Sequence, residues 1–179
     1  GVDKKLDKLK HHNLFFDENI DAHVEDIYET KIWPKKPLFY ACCPSKTDAS
    51  VAPINKVNLF ILVPITPGLD DNESIREKYF GMIMSRLEAY CGHEIKKHIE
   101  YNRSYCIKDF IEDYNSYKGN AYGLANTLLQ TANLKPKIIN KQIINLFYTG
   151  QLTVPGPGVP PSIISGNVVA NYVMSQNSK

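Results

Sequence analysis

"TGQLTVPGPGVPPSIISGNVVANYV", residues 149–173, concentrates glycine, proline and small side chains near the end of a 179-residue chain. The residues before it, "QIINLFYTG" (142–150), read as a strand, and those after it, "PSIISGNVVANYVMSQ" (161–176), as a helix. Pro161 suits a first helical turn, where a missing N–H costs nothing. Ser165, Gly166 and Ala170 would let that helix approach a neighbour closely. The proline-glycine turn has two readings. It is a structural connection, or it is a place where a flat or anionic ligand lies against exposed backbone. In the second case the helix start offers unpaired N–H groups and a positive dipole end. "PGPGVPP" contains a G-x-G but runs into a proline pair and lacks the third glycine of a dinucleotide fingerprint. The turn alone leaves both readings open.

The bulk of the chain narrows the classes. It has 43% hydrophobic and 22% charged residues, a globular composition long enough for one good core or two small ones. A formal charge of +2 implies no nucleic-acid partner. The basic cluster "DKKLDKLKHH" (3–12) is interrupted by Asp3 and Asp7 and reads as a solvated edge, with an anionic membrane surface as the alternative. Cys42, Cys43, Cys91 and Cys106 show no C-x-x-C spacing, which favours reduced, mostly buried thiols in a cytosolic protein. The longest apolar run, "LFILVPI" (59–65), falls far short of the roughly 20 residues of a membrane span. The chain begins at Gly1 without a methionine or a secretory signal, as a processed or excised piece would.

Going back along the chain, "LKHHNLFF" (9–16) suits a strand. "DENIDAHVEDIYET" (17–30) suits a helix capped by Asp17, with Ile20, Val24, Ile27 and Tyr28 at helical spacing. Pro34 and Pro37 end it. "LFYACC" (38–43) and "VNLFILVPI" (57–65) are near-continuous apolar runs, expected as central strands covered on both faces. "DDNESIREKYFGMIMSRLEAYCG" (70–92) is the clearest helix: Ile75, Tyr79, Ile83, Leu87 and Tyr90 form one stripe, acids open it and Gly92 closes it. A strand over 98–107, a short helix over 108–115 and a loop over 116–127 complete the reading.

Several chemistries lack their residues. His11, His12, His23, His93 and His98 include no H-E-x-x-H pair and have no cysteine at ligand spacing, so no metal site is expected. There is no G-x-S-x-G elbow, no P-loop and no G-x-G-x-x-G. No residue is assigned to catalysis.

Four blocks, however, carry a resemblance. "NLFYTGQLTVPGPGVPPSIISGNVVANYVM" (145–174) resembles the C-terminal signature of the bacterial and fungal phytoene desaturases, an N-L-Y-x-x-G stretch, a P-G-x-G-[IV]-P core and a helix rich in small residues. "YKGNAYGLANTLLQTANLKP" (117–136), "CCPSKTDASVAPINKVNLFILVPI" (42–65) and "LKHHNLFFDENI" (9–20) are similar to further blocks of that family, in the same order. Asn55, Leu152 and Val154 depart from its pattern, and the G-x-G-x-x-G Rossmann turn that opens family members is missing. The chain therefore looks like the C-terminal third of a desaturase.

The resemblance implies an α/β (α+β) fold in two parts. Residues 1–137 would belong to a substrate-binding domain with a mixed or antiparallel sheet and helices. Residues 138–179 would be the strand-turn-helix that completes a Rossmann-like FAD domain. By carry-over, Gly150, Gln151, Leu152, Pro155, Gly156, Gly158, Val159 and Pro160 would line the flavin, and the following helix would point its positive end at it. The family's chemistry is removal of hydrogen from phytoene or a related polyene, with FAD as hydride acceptor. The apolar residues of 38–65 and the "AYGLANTLL" loop become tunnel-lining candidates, with Asp48, Tyr122 and Leu124 singled out. For each of them core packing or turn capping is the plainer reading. Implied partners are the polyene and the rest of the FAD domain, with peripheral contact at the inner face of a membrane and a cytoplasmic location. A related carotenoid isomerase or saturase, or a non-catalytic module binding an apolar ligand or partner, are the alternatives. Because half a flavin site lacks the pyrophosphate cradle, this chain by itself is expected not to hold FAD tightly.

Overall fold

Three short antiparallel strands organise the first part of the chain in the computed structural model, which describes residues 1–125 and 127–177. β1 (His12–Phe15), β2 (Phe39–Cys42) and β3 (Phe60–Leu62) lie in that order, so β2 is central. β1 and β2 pair with His12 opposite Cys42 and Phe15 opposite Phe39. The second pair stacks ring on ring at 4.3 Å, and the edge of Tyr90 meets Phe15. Central placement holds for β2 but not for the second apolar run. Among the described residues β3 pairs only with β2, and Phe60 is 56% exposed. Burial in β2 alternates, with Phe39 and Ala41 buried and Tyr40 and Cys42 half-buried. Its apolarity thus reflects one buried face and one partly covered face.

α2 (Glu73–Cys91) covers the sheet. Asn72 accepts a hydrogen bond from the Ile75 N–H, and Gly92 closes the helix in the left-handed region at φ 77°. Its buried face is Tyr79, Ile83, Met84, Leu87 and Cys91, so the expected stripe holds except at its ends. Tyr90 turns out to the rim and Met84 turns in. This face meets Leu6, Leu9, Phe15, Phe39, Val57 and Ile95 in one apolar cluster. Leu6, Leu9, Leu87 and Ile95 are fully buried, each worth roughly 1.5–3 kcal/mol of transfer free energy.

Three local expectations are corrected. The helix expected over 17–30 is α1 (Ile20–Val24) followed by a π-turn at Glu25–Glu29, and its cap is Asn19, which accepts from the Ala22 N–H. Asp17 is drawn instead to Arg86 on α2, which donates to both carboxylate oxygens and so holds the carboxyl below its usual range. The buried face of α1 and its π-turn is His23, Asp26 and Ile27, while Ile20, Val24 and Tyr28 point to solvent. Backbone donors of the proline-rich connection select it: the Lys35 N–H binds Asp26 at 3.0 Å and the Leu38 N–H binds His23 Nδ1 at 3.1 Å.

The strand expected over 98–107 is absent. Residues Lys96–His98 form a 3-10 turn and Ile99 makes a single bridge to Val2. α3 (Ile107–Tyr114) follows as expected, ending on Asn115 in the left-handed region. Its capping carboxylate, Asp109, shares Arg76 with Asp71, at 2.7 and 2.6 Å. Likewise, 142–150 is not a strand. Ile139 and Phe147 form one bridge around a turn, so the C-terminal motif is turn and helix only.

The chain divides into two compact units, Gly1–Gly119 and Asn120–Lys179. The first contains the sheet, α1 to α3 and the whole apolar cluster. The second contains 3-10 turns at Leu128–Gln130 and Ala132–Leu134, the glycine-proline turn, and α4 (Val159–Asn177). Asn126, in the loop expected over 116–127, lies outside the described residues. Among the described residues no helix is long and apolar enough to cross a membrane.

Candidate functional site

Within the second unit, the glycine-proline turn is built by hydrogen bonds that leave its outer face open. The Gly150 N–H donates to Ser165 Oγ at 2.8 Å, and that hydroxyl donates to the Ser162 carbonyl. Ser165 is 1% exposed, so one small polar side chain ties the turn to the first turns of α4. Thr153, also buried, closes residues 150–153 through its N–H and hydroxyl to the Gly150 carbonyl. Gln151 donates to the Ala121 carbonyl, and Leu152 packs where a side chain on Gly123 would stand, 1.8 Å from the position of a Cβ. Those contacts account for Leu152 and Gln151 as parts of the turn's frame.

The glycines then separate by role. Gly156 is buried, with the Lys135 side chain 3.3 Å from where its Cβ would be. Gly150 at φ +97° would direct a Cβ into open space, and Gly158 at φ +113° would meet only Pro161 of its own helix. Any other residue at these two positions would strain the backbone and fill the space beside it. Pro155, Gly158, Val159 and Pro160 are exposed, Val159 by 74%. The predicted residues thus come together on one turn, with Gly156 beneath it.

The helix start differs from the expected one. α4 begins at Val159 rather than Pro161, so Pro160 and Pro161 both fall in its first turn. Two of the usual donors are missing, and the backbone N–H groups that remain at the tip are those of Gly158 and Val159. Two adjacent donors at a positive dipole end suit one carbonyl oxygen of a flat ring better than a phosphate, which needs a ring of donors.

The other predicted residues are dispersed. Asp48 caps a 3-10 turn at Ala49–Val51, accepting from Ser50 through its N–H at 2.8 Å and its hydroxyl at 2.6 Å. Those bonds hold its carboxyl below the usual range. Tyr122 is exposed and Leu124 half-buried in the second unit. Of the tunnel-lining candidates, Leu38, Phe39, Ala41 and Cys43 are 0–5% exposed and belong to the core. A groove of about 570 Å³ on the first unit is lined by Pro37, Gly81 and Met82 together with the charged residues Glu18, Lys35, Lys36, Arg86 and Lys96.

Sequence spacing missed one group entirely. The β1–β2 register places His12 opposite Cys42, and donor atoms of His11, His12 and Cys42 lie within 4.8 Å of one another. Thirty residues separate the two halves of this group along the chain, so no linear motif announces it. Tyr40, beside it on β2, has its phenol pushed above the ordinary range by the Cys42 side chain first and by burial second.

No family model matches the chain. It is 42% identical to the carotenoid 3,4-desaturase of Haloarcula japonica over 174 residues, covering 97% of this chain and 35% of that protein. Over 182 residues it is 31% identical to the zeta-carotene-forming phytoene desaturase of Myxococcus xanthus, covering 98% of this chain and 34% of that protein. The 4,4'-diaponeurosporene oxygenase of Staphylococcus aureus is 29% identical over 182 residues, 100% of this chain and 36% of that protein. The chain spans about a third of the length of these relatives. It is homologous to carotenoid desaturases along nearly its whole length, as the four collinear sequence blocks led us to expect.

Proposed function

We propose that this carotenoid-desaturase homologue is part of an FAD-dependent oxidoreductase that removes hydrogen from phytoene or a related long polyene. Homology over 97% of the chain to a carotenoid 3,4-desaturase carries the reading. In it, residues 1–137 belong to the substrate-binding domain and residues 138–179 complete the FAD domain. When bound, the flavin supplies the hydride acceptor.

The residues of the turn fit a flat ring. Gly150 leaves open space, Leu152, Pro155, Val159 and Pro160 offer exposed apolar surface, and the Gly158 and Val159 N–H groups offer donors. The dipole of α4 favours negative charge at that tip. This chain's contribution is to orient the ring and exclude water; the hydrophobic polyene is the expected substrate.

The test is the intact polypeptide that contains this chain, supplied with phytoene in lipid vesicles. Replacing Gly158 by Leu should lower both bound flavin and the appearance of longer conjugated polyenes. Normal flavin content and turnover in that variant would remove the turn from the site. An oxygenated product would instead favour the activity named for the Staphylococcus aureus relative. The 179-residue chain alone should purify without stoichiometric flavin; a yellow preparation would contradict the division of the FAD site.

A further inference from the structure

The group at the first two strands belongs to the first unit and has no role in the flavin turn. His11 and Cys42 are half-buried and His12 is exposed, and their three donor atoms already lie within 4.8 Å of one another. His12 Nδ1 is 4.0 Å from Cys42 Sγ. Around a tetrahedral zinc, with Zn–N of about 2.1 Å and Zn–S of about 2.3 Å, donors sit roughly 3.5 Å apart. The contraction required is about an ångström, within reach of rotations of partly exposed side chains.

A second observation concerns how His11 is held. Thr47 donates its hydroxyl proton to the Pro44 carbonyl at 3.3 Å, and its oxygen lies 2.6 Å from His11 Nδ1. In the tautomer where Thr47 accepts from His11 Nδ1–H, the Nε2 lone pair is left for a ligand. Ligating histidines are held by this kind of outer bond. The Tyr40 hydroxyl lies 2.5 Å from His12 Nδ1, the nitrogen 4.0 Å from Cys42 Sγ, so ligation through that nitrogen displaces the Tyr40 hydrogen bond. Two imidazoles and a thiol select a borderline-soft ion over magnesium or calcium, which prefer oxygen donors.

We propose that His11, His12 and Cys42 form a three-ligand zinc site that staples β1 to β2 and leaves a fourth position to water. Binding replaces the Cys42 S–H bond with a Zn–S bond and releases that proton to solvent. The site is independent of the flavin turn, so its test does not depend on activity.

The intact polypeptide, stripped with chelator and freed of it, is dialysed against Zn2+ alone, and bound zinc is counted per chain. Cys42→Ser should bind one zinc fewer than the parent, while Cys106→Ser should bind as many. Thr47→Val should weaken binding on the order of tenfold, the usual effect of losing an outer partner. Zinc should raise the thermal midpoint of the parent and leave that of Cys42→Ser unchanged. Because Cys42 is half-buried, its variant should melt at the parent's metal-free midpoint, which checks its folding. Equal zinc content in the parent and Cys42→Ser, or loss of the zinc with Cys106→Ser, would overturn the proposal.

Discussion

The two units of this chain bury different things. Gly1–Gly119 buries leucine, isoleucine, phenylalanine and valine in a continuous cluster; among the described residues of Asn120–Lys179, Val169 is the single large apolar side chain buried below 10% exposure. The rest of what the second unit buries is polar or glycine: Lys135, Thr153, Ser165 and Gly156. Its apolar residues face outward instead, with Ile144 at 93%, Leu128 at 89% and Leu129 at 81% exposure. A segment of this kind is ordered by hydrogen bonds and turn geometry, and it offers apolar surface for something else to cover. The first unit, by contrast, has the contents of a small domain core. The boundary between the units falls after Gly119, eighteen residues before the boundary proposed between the substrate-binding and flavin parts.

The comparison can be broken by substitution, and the largest effect should come from the first unit. Arg76 joins Asp71, which is 4% exposed, to Asp109 on α3, and Asp71 also accepts from the Lys108 N–H. Arg76→Ala leaves a buried carboxylate without its cation and should cost about 3–5 kcal/mol in urea unfolding. The single tryptophan, Trp33, lies in the first unit and reports the transition. The carboxyl of Asp71 is held below its ordinary value of 3.8 by Arg76 foremost, against burial. Its contribution is therefore present above about pH 4 and is lost as pH falls through the lower folded value. Acid unfolding of Asp71→Asn should lack that step.

Leu87→Ala should follow at roughly 3 kcal/mol, since this side chain is fully buried against both β-strand and N-terminal residues of the cluster. A value under about 1 kcal/mol would mean that the first unit has no close-packed core.

A smaller effect should appear on mild acidification. His23 is buried, its Nδ1 accepts from the Leu38 N–H, and burial pushes its pKa below 6.5 while Asp26 opposes the shift. The folded state prefers the neutral ring, so stability is full above pH 6.5 and declines as pH falls through that value. Unfolding midpoints at pH 7.5 and 5.5 should differ for the parent more than for His23→Gln.

The smallest effect should come from the second unit. Ile144→Ala in the 179-residue chain should change stability by less than about 0.5 kcal/mol, as exposed substitutions do. The same substitution in a longer polypeptide carrying the chain should cost more, because covering apolar surface is worth roughly 25 cal/mol per Å². Equal, negligible costs in both settings would leave Ile144 uncovered in either and weaken the contrast between the units.

Much of the first unit was legible in the sequence. α2 could be read from its spacing, with acids at the start and Gly92 at the end, because a long amphipathic helix repeats its signal over many turns. β1 was legible as a strand-compatible stretch and β2 as a near-continuous apolar run. In 17–30 the apolar spacing is real but only Ile27 of it is buried; hydrogen bonds from the Lys35 and Leu38 backbone chose the face of His23, Asp26 and Ile27 instead. The strands expected at 98–107 and 142–150 failed for a related reason. Strand character needs a partner edge to persist, and in both places a single bridge was all that formed.

The sequence by itself determined which family the chain is homologous to, where its longest helix lies, and that glycines crowd one turn beside a helix, because these depend on local order along the chain. Only the tertiary structure decided which glycines face open space, that two prolines remove donors from the start of α4, and that two adjacent histidines meet a cysteine thirty residues away. Those outcomes depend on backbone torsion and strand register, and a one-residue slip between β1 and β2 would carry Cys42 to the opposite face from His12.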